Sequence, residues 1–188
     1  GANAIELIAL AVPDDLTERA EFRERALKMN ASLSELIGKE YGLEVHIWLP
    51  LDDRVLPGAE APGLLAGQAA CPSTPEGRKY ILDTRRSLFA DMPKLDGVFV
   101  PSGDPGGCTC EKCKPWSKTM IGLCEDMAGI LAESHPEARI WISNQKLSLE
   151  ENNYLCDYLD RKRPRWLGGL VYGPSSTEPL PLMRQHVL

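Results

Sequence analysis

"DGVFVPSGDPGGCTCEKCKPW", residues 96–116, is the stretch on which the fold turns. Asp96 to Pro101 is a short run rich in β-branched and aromatic residues, which reads as a buried strand. It breaks at once into Pro and Gly, with Asp104 as the one acid of the turn. Cys108, Cys110 and Cys113 follow within six residues, and a helical pattern opens at Trp116. Together these make one β/α unit with its chemistry in the loop at the carboxyl end of the strand.

The same unit repeats on either side. Strands are expected at Ala4 to Leu10, Leu43 to Leu49, Ala138 to Ser143 and Leu167 to Tyr172. The first helical pattern runs from Leu16 to a stop at Gly42, with Leu16, Ala20, Leu27, Leu33 and Leu36 near one stripe and room for a break near Asn30. Thr74 and Pro75 open the second, as N-cap and first helical residue. The third starts at Trp116, the fourth runs through "SLEENNYLCDYLDRKRP", and another helix is expected after Pro179. Strict alternation of strand and helix predicts parallel strands joined by right-handed crossovers.

An open doubly wound sheet and a (β/α)8 barrel both fit that order. No strand leads into G-x-G-x-x-G or a P-loop, which argues against the nucleotide-binding open sheet. The 188 residues fall short of the roughly 250 of a full barrel. The expected fold is therefore α/β and TIM-barrel-like, a partial or truncated (β/α)8 barrel with about five parallel strands. Residues 1–188 read as a single β/α domain and, given the abrupt strand-like start, as a segment of a larger barrel.

A net charge of -6 argues against nucleic acid as partner, because phosphates need a basic surface. No apolar run approaches the ~20 residues of a membrane span. The long loops all follow strands, so four strands deliver side chains to one rim. Trp48, Asp52 and Asp53 come from the second strand, Asp104 from the third, Asn144 and Gln145 from the fourth, and Tyr172 from the fifth. Rings that cover apolar sugar faces, with amides and acids for hydroxyls, suit an oligo- or polysaccharide. Glycosidic cleavage needs a protonated acid and a second carboxylate. Asp104 is the candidate acid, Asp52 or Asp53 its partner, Trp48 and Tyr172 the stacking rings, and Asn144 and Gln145 the hydroxyl ligands. The same residues could instead serve a non-catalytic carbohydrate-binding module. His46 and His135 read as a satisfied interior or interface histidine and a helix cap, and Glu6 as a strand carboxylate that needs a partner.

C-x-C-x-x-C suits three legs of a tetrahedral thiolate site, with Cys71 as the fourth ligand from the preceding long loop. A closed structural zinc site is one reading, disulfides from Cys71 are the other, and a catalytic zinc is a third. Zinc-thiolate would suit the cytoplasm, disulfides a periplasmic or secreted protein. No organic cofactor is expected. Cys124 and Cys156 read as core fillers on helix faces.

"NAIELI", "GLEVHIWLPLDD", "CPSTPEGRKYIL", "VFVPSGDPGGCTCEKC", "WISNQ" and "VYGP" together resemble glycoside-hydrolase-like bacterial (β/α)8 proteins, similar to the β-hexosaminidase and α-glucuronidase superfamily. The β-hexosaminidases carry Gly-Asp-Glu after a central strand, where Asp orients the substrate acetamido group and Glu is the general acid. Gly103 and Asp104 match, but Pro105 stands where that Glu would be. The resemblance implies that barrel strands are missing from this chain, and the expected partners besides the saccharide are the remaining barrel segments or a homo-oligomer.

Overall fold

The computed structural model describes residues 2–8, 20–51, 53–102, 107–145 and 147–171. The strands are β1 (Ala4–Ile8), β2 (Glu44–Trp48), β3 (Gly97–Val100), β4 (Arg139–Ser143) and β5 (Leu167–Val171). Between them lie α1 (Ala20–Leu36), α2 (Pro75–Asp91), α3 (Trp116–Ser134) and α4 (Leu149–Lys162). All four strand pairings are parallel, in the order β1-β2-β3-β4-β5. The described part of the chain is thus α/β with a five-stranded, all-parallel sheet. A helix after Pro179 lies outside the described residues.

The order of the strands decides where the core sits. A doubly wound sheet reverses its order at a switch point and so covers both faces. Here the order never reverses, and successive right-handed crossovers lay the helices on one face. Val45, Ile47, Val98, Val100, Ile140 and Ile142 point to that face and are wholly buried. They pack with Ile81, Phe89, Met120, Leu123, Met127 and Leu131 of the helices in one cluster. The opposite face carries Glu6, His46, Trp48, Phe99, Arg139 and Trp141, none of them fully buried. Among the described residues β1 and β5 are the outer strands of the sheet.

The helices follow local chemistry closely. Thr74 accepts the Gly77 amide at 3.1 Å, and Pro75 occupies the start of α2. Ser148 and Glu151 close a capping box on α4. Gly42 ends the first helical segment at φ +63°, the left-handed conformation glycine adopts without strain. α1 departs from expectation. It runs unbroken through Asn30, and Leu36 is exposed, while the following turn, Ile37–Tyr41, widens to π geometry and buries Ile37. The fully buried stripe is Asn30, Ser34 and Ile37, spaced four and three residues apart, and the expected Leu27 and Leu33 pack against the core beside it. Its two polar members are hydrogen-bonded: Asn30 reaches the end of β1 and donates to Ile8 O at 3.2 Å, and Ser34 donates to Ala31 O within the helix at 2.9 Å.

Candidate metal centre and the carboxyl edge of the sheet

Four cysteines from two loops meet at the carboxyl edge. Cys71 ends the long β2–α2 loop, and its carbonyl accepts both the Thr74 amide (3.1 Å) and the Thr74 hydroxyl (2.9 Å). Gly77 permits this: a Cβ there would lie 2.2 Å from Cys71 O. Cys108 and Cys110 follow β3, and Cys113 closes the 3-10 turn Glu111–Cys113, where its amide donates to Cys110 O at 3.0 Å.

The Cys71 sulfur lies 3.7 Å from Cys108, 3.7 Å from Cys110 and 3.6 Å from Cys113. All four Sγ atoms fall within 4.8 Å of one another. A disulfide needs about 2.05 Å. The disulfide reading therefore does not hold for these cysteines, all of which are free. Four sulfurs around one zinc at about 2.3 Å would stand about 3.8 Å apart at the edges of a tetrahedron. The spacing fits, and the cluster could hold a metal such as zinc.

As thiols the four sulfurs titrate unevenly. Hydrogen bonding from Cys108, helped by Cys113 and Cys71, lowers the exposed Cys110 to about 7. Burial pushes Cys113 up to about 12, against a hydrogen bond from Ser73, and raises Cys108 as well. One thiolate is thus easily formed in the cluster, and a cation is what would stabilise four together. Ser73 Oγ lies 3.0 Å from Cys113 Sγ and donates to Lys112 O at 3.1 Å, so it braces the buried ligand from behind.

The carboxylates fare differently. Asp52, Asp104 and Tyr172 lie outside the described residues. Asp53 is buried and held from three sides. Thr84 donates to it at 2.7 Å, Arg85 at 3.3 Å, and Arg23 lies 3.5 Å away. Arg85, fully buried in α2, also donates to Pro50 O at 2.8 Å. Asp53 thereby ties the β2–α2 loop to two helices.

Trp48 sits half-buried on the open face of the sheet. Asn144 is 1% exposed. Its Nδ2 donates to Asn152 Oδ1 at 3.0 Å, and its Oδ1 has no hydrogen-bond partner among the described residues. The Gln145 backbone accepts from the Ser102 hydroxyl and donates to Ser143 Oγ at 3.0 Å.

Several residues that organise this edge carried no obvious signal. Trp116 Nε1 donates to Ser102 O at 2.6 Å, while the indole lies so close to Gly107 that a Cβ there would stand 2.1 Å from the ring. One side chain therefore holds both flanks of residues 103–106. Glu151 Oε1 accepts the Trp116 amide at 2.8 Å and links the starts of α3 and α4. Ser148 and Glu151 stand at capping-box spacing, whereas the reach of Glu151 to Trp116 follows from no local spacing. The chain matches no known protein family and no curated protein.

Proposed function

We propose that this chain is part of a carbohydrate-active domain of (β/α)8 type, a glycoside hydrolase, whose carboxyl-edge loops are braced by a structural zinc on Cys71, Cys108, Cys110 and Cys113. The observation that carries the reading is the unreversed strand order with helices on one face, as barrel segments have. In that arrangement the loops after β2, β3 and β4 share one rim, and Trp48, Asn144 and Gln145 lie along it. Asp104 would protonate the glycosidic oxygen. Asp53 is engaged by Arg85 and Thr84, which leaves Asp52 as the second carboxylate. Tyr172 would stack on sugar beside Trp48. Four thiolates fill the coordination of zinc, so the metal would brace the loops and take no part in the bond cleavage.

A panel of chromogenic glycosides, with wild type and Asp104→Asn, tests the catalytic part. Turnover lost in the variant supports it, and equal turnover removes Asp104 from the mechanism. Elemental analysis of purified protein tests the brace, with one zinc per chain expected. The second reading, a sugar-binding module without hydrolysis, is favoured by Pro105, which stands where the resemblance would put the general acid. Glycan affinity by calorimetry without turnover on any glycoside would select it.

A further inference from the structure

We infer that the four-cysteine cluster is a peroxide-reactive site, with Cys110 the sulfur oxidised first and Cys71 the one that resolves it, so that oxidation replaces the zinc brace with a disulfide across the same two loops. The inference rests on the zinc reading and adds the regulation of that site. Access differs sharply among the four sulfurs. Cys110 is exposed, Cys71 and Cys108 are half-buried, and Cys113 is wholly buried with Ser73 Oγ 3.0 Å from its sulfur. An oxidant arriving from solvent meets Cys110 first. Bound to zinc, all four would be thiolates, the form in which sulfur is nucleophilic, so access chooses among them.

Distance chooses the resolving sulfur. Cys71 stands 3.7 Å from Cys110, 3.7 Å from Cys108 and 3.6 Å from Cys113, a hub that reaches every other member. Closing from 3.7 Å to a disulfide of about 2.05 Å asks for a movement of about 1.7 Å. Cys110 can supply it, because it precedes the short turn Glu111–Cys113 and its exposed side chain leaves no packing behind. Cys71 is the fixed partner: its carbonyl is held by the Thr74 amide at 3.1 Å and the Thr74 hydroxyl at 2.9 Å. A Cys108–Cys110 bridge would have to close across a single residue, and a Cys110–Cys113 bridge would draw the exposed sulfur toward the buried corner braced by Ser73. Cys124 and Cys156 are buried in α3 and α4, outside the cluster.

The chemistry balances with peroxide as the oxidant. The Cys110 thiolate attacks one peroxide oxygen, the O–O bond breaks and hydroxide leaves; the sulfur is oxidised by two electrons to a sulfenic acid and the peroxide is reduced. The Cys71 thiolate then attacks that sulfur, the S–O bond breaks, a second hydroxide leaves and the S–S bond forms. Both hydroxides become water by taking protons from solvent. Cys108 and Cys113 are then the only ligands left of the four that a closed zinc site uses, so the metal is no longer held. Cys71 belongs to the β2–α2 loop and Cys110 to the β3–α3 loop, and the bridge keeps both loops tied after the ion has gone. A dithiol reductant reverses the step, forming its own disulfide while Cys71 and Cys110 return to thiols.

The test titrates the full, zinc-loaded wild-type chain with hydrogen peroxide. A zinc-binding dye follows the metal, and mass spectrometry of peptides prepared without reduction maps the bridges. One zinc is expected to leave per peroxide consumed, with a cross-linked Cys71–Cys110 peptide as the main product, and dithiothreitol should restore zinc binding. The β2–α2 loop of the oxidised protein should resist protease as the zinc-loaded protein does, whereas reduced protein stripped of zinc is cut there about tenfold faster. Zinc retained in excess peroxide overturns the inference and leaves the zinc reading intact. So does release whose main product is a sulfinic acid, a Cys110–Cys113 bridge or a modified Cys124 or Cys156. An oxidised loop cut as fast as that of the stripped protein overturns the exchange of braces. Reduced protein that takes up no zinc removes the zinc reading and the inference together.

Discussion

Removing the Asp53 carboxylate is the sharpest probe of how the β2–α2 loop is held. In Asp53→Ala the Arg85 guanidinium, 0% exposed, loses its carboxylate and keeps the Pro50 carbonyl. Breaking a buried ion pair by deleting one partner costs about 3–5 kcal/mol, because the remaining charge loses a carboxylate that water does not replace. For a chain of this length that is a fall in Tm of roughly 6–20 °C. Arg85→Met is milder, about 1–3 kcal/mol, since Asp53 retains Thr84 and Arg23 while methionine fills the space. The double variant should therefore be more stable than the sum of the single losses implies, with a coupling of about 0.5–3 kcal/mol. Urea unfolding followed by circular dichroism measures all three. A cost below about 1 kcal/mol for Asp53→Ala, or strict additivity, would show that the pair does not anchor the loop. Lost turnover at unchanged stability would return Asp53 to the list of catalytic acids.

Three further outcomes follow from single contacts. Gly77→Ala drives a methyl into the Cys71 carbonyl, so zinc affinity measured by chelator competition should drop by tenfold or more while α2 stays helical by circular dichroism. Stripped of metal, the protein should be alkylated by iodoacetamide first at Cys110, with a half-maximal rate near pH 7; mass spectrometry that finds Cys113 modified first would contradict the burial order. Burial raises the Glu6 carboxyl above its ordinary value of 4.5, with His46 opposing. The native state then holds this proton more tightly than the unfolded chain, so the contribution to stability is present below pH 4.5 and disappears as pH rises through the native value. Glu6→Gln should accordingly raise Tm at pH 7 and leave it unchanged at pH 3.5, and a lowered Tm at pH 7 would reverse the sign.

Much of the fold was legible because its signals are local. The strand ends at Val100 and Ser143, the Thr74–Pro75 start of α2 and the Gly42 stop depend on residues within a few positions of one another. The thiol cluster was legible for a related reason. C-x-C-x-x-C confines three sulfurs to one short loop, and alternation of parallel strands puts Cys71 in the neighbouring loop. α1 was misread at its end because a π turn changes the helical period, and Ile37 takes the buried place that Leu36 would have held.

Sequence alone determined the alternation of β and α elements, the parallel sense of the strands and the four-cysteine set, since each depends on short-range spacing or on a crossover rule that any such chain obeys. Tertiary structure decided that the strands lie in sequence order without reversal, with the described helices packed on one face of the sheet. It also decided that Asp53 serves Arg85, that Trp116 grips both flanks of the third loop, and that Trp48, Phe99 and Trp141 share a row. These contacts join residues about 10 to 50 positions apart, and nothing in a single sequence specifies which of many distant partners a buried side chain meets. Packing makes that choice.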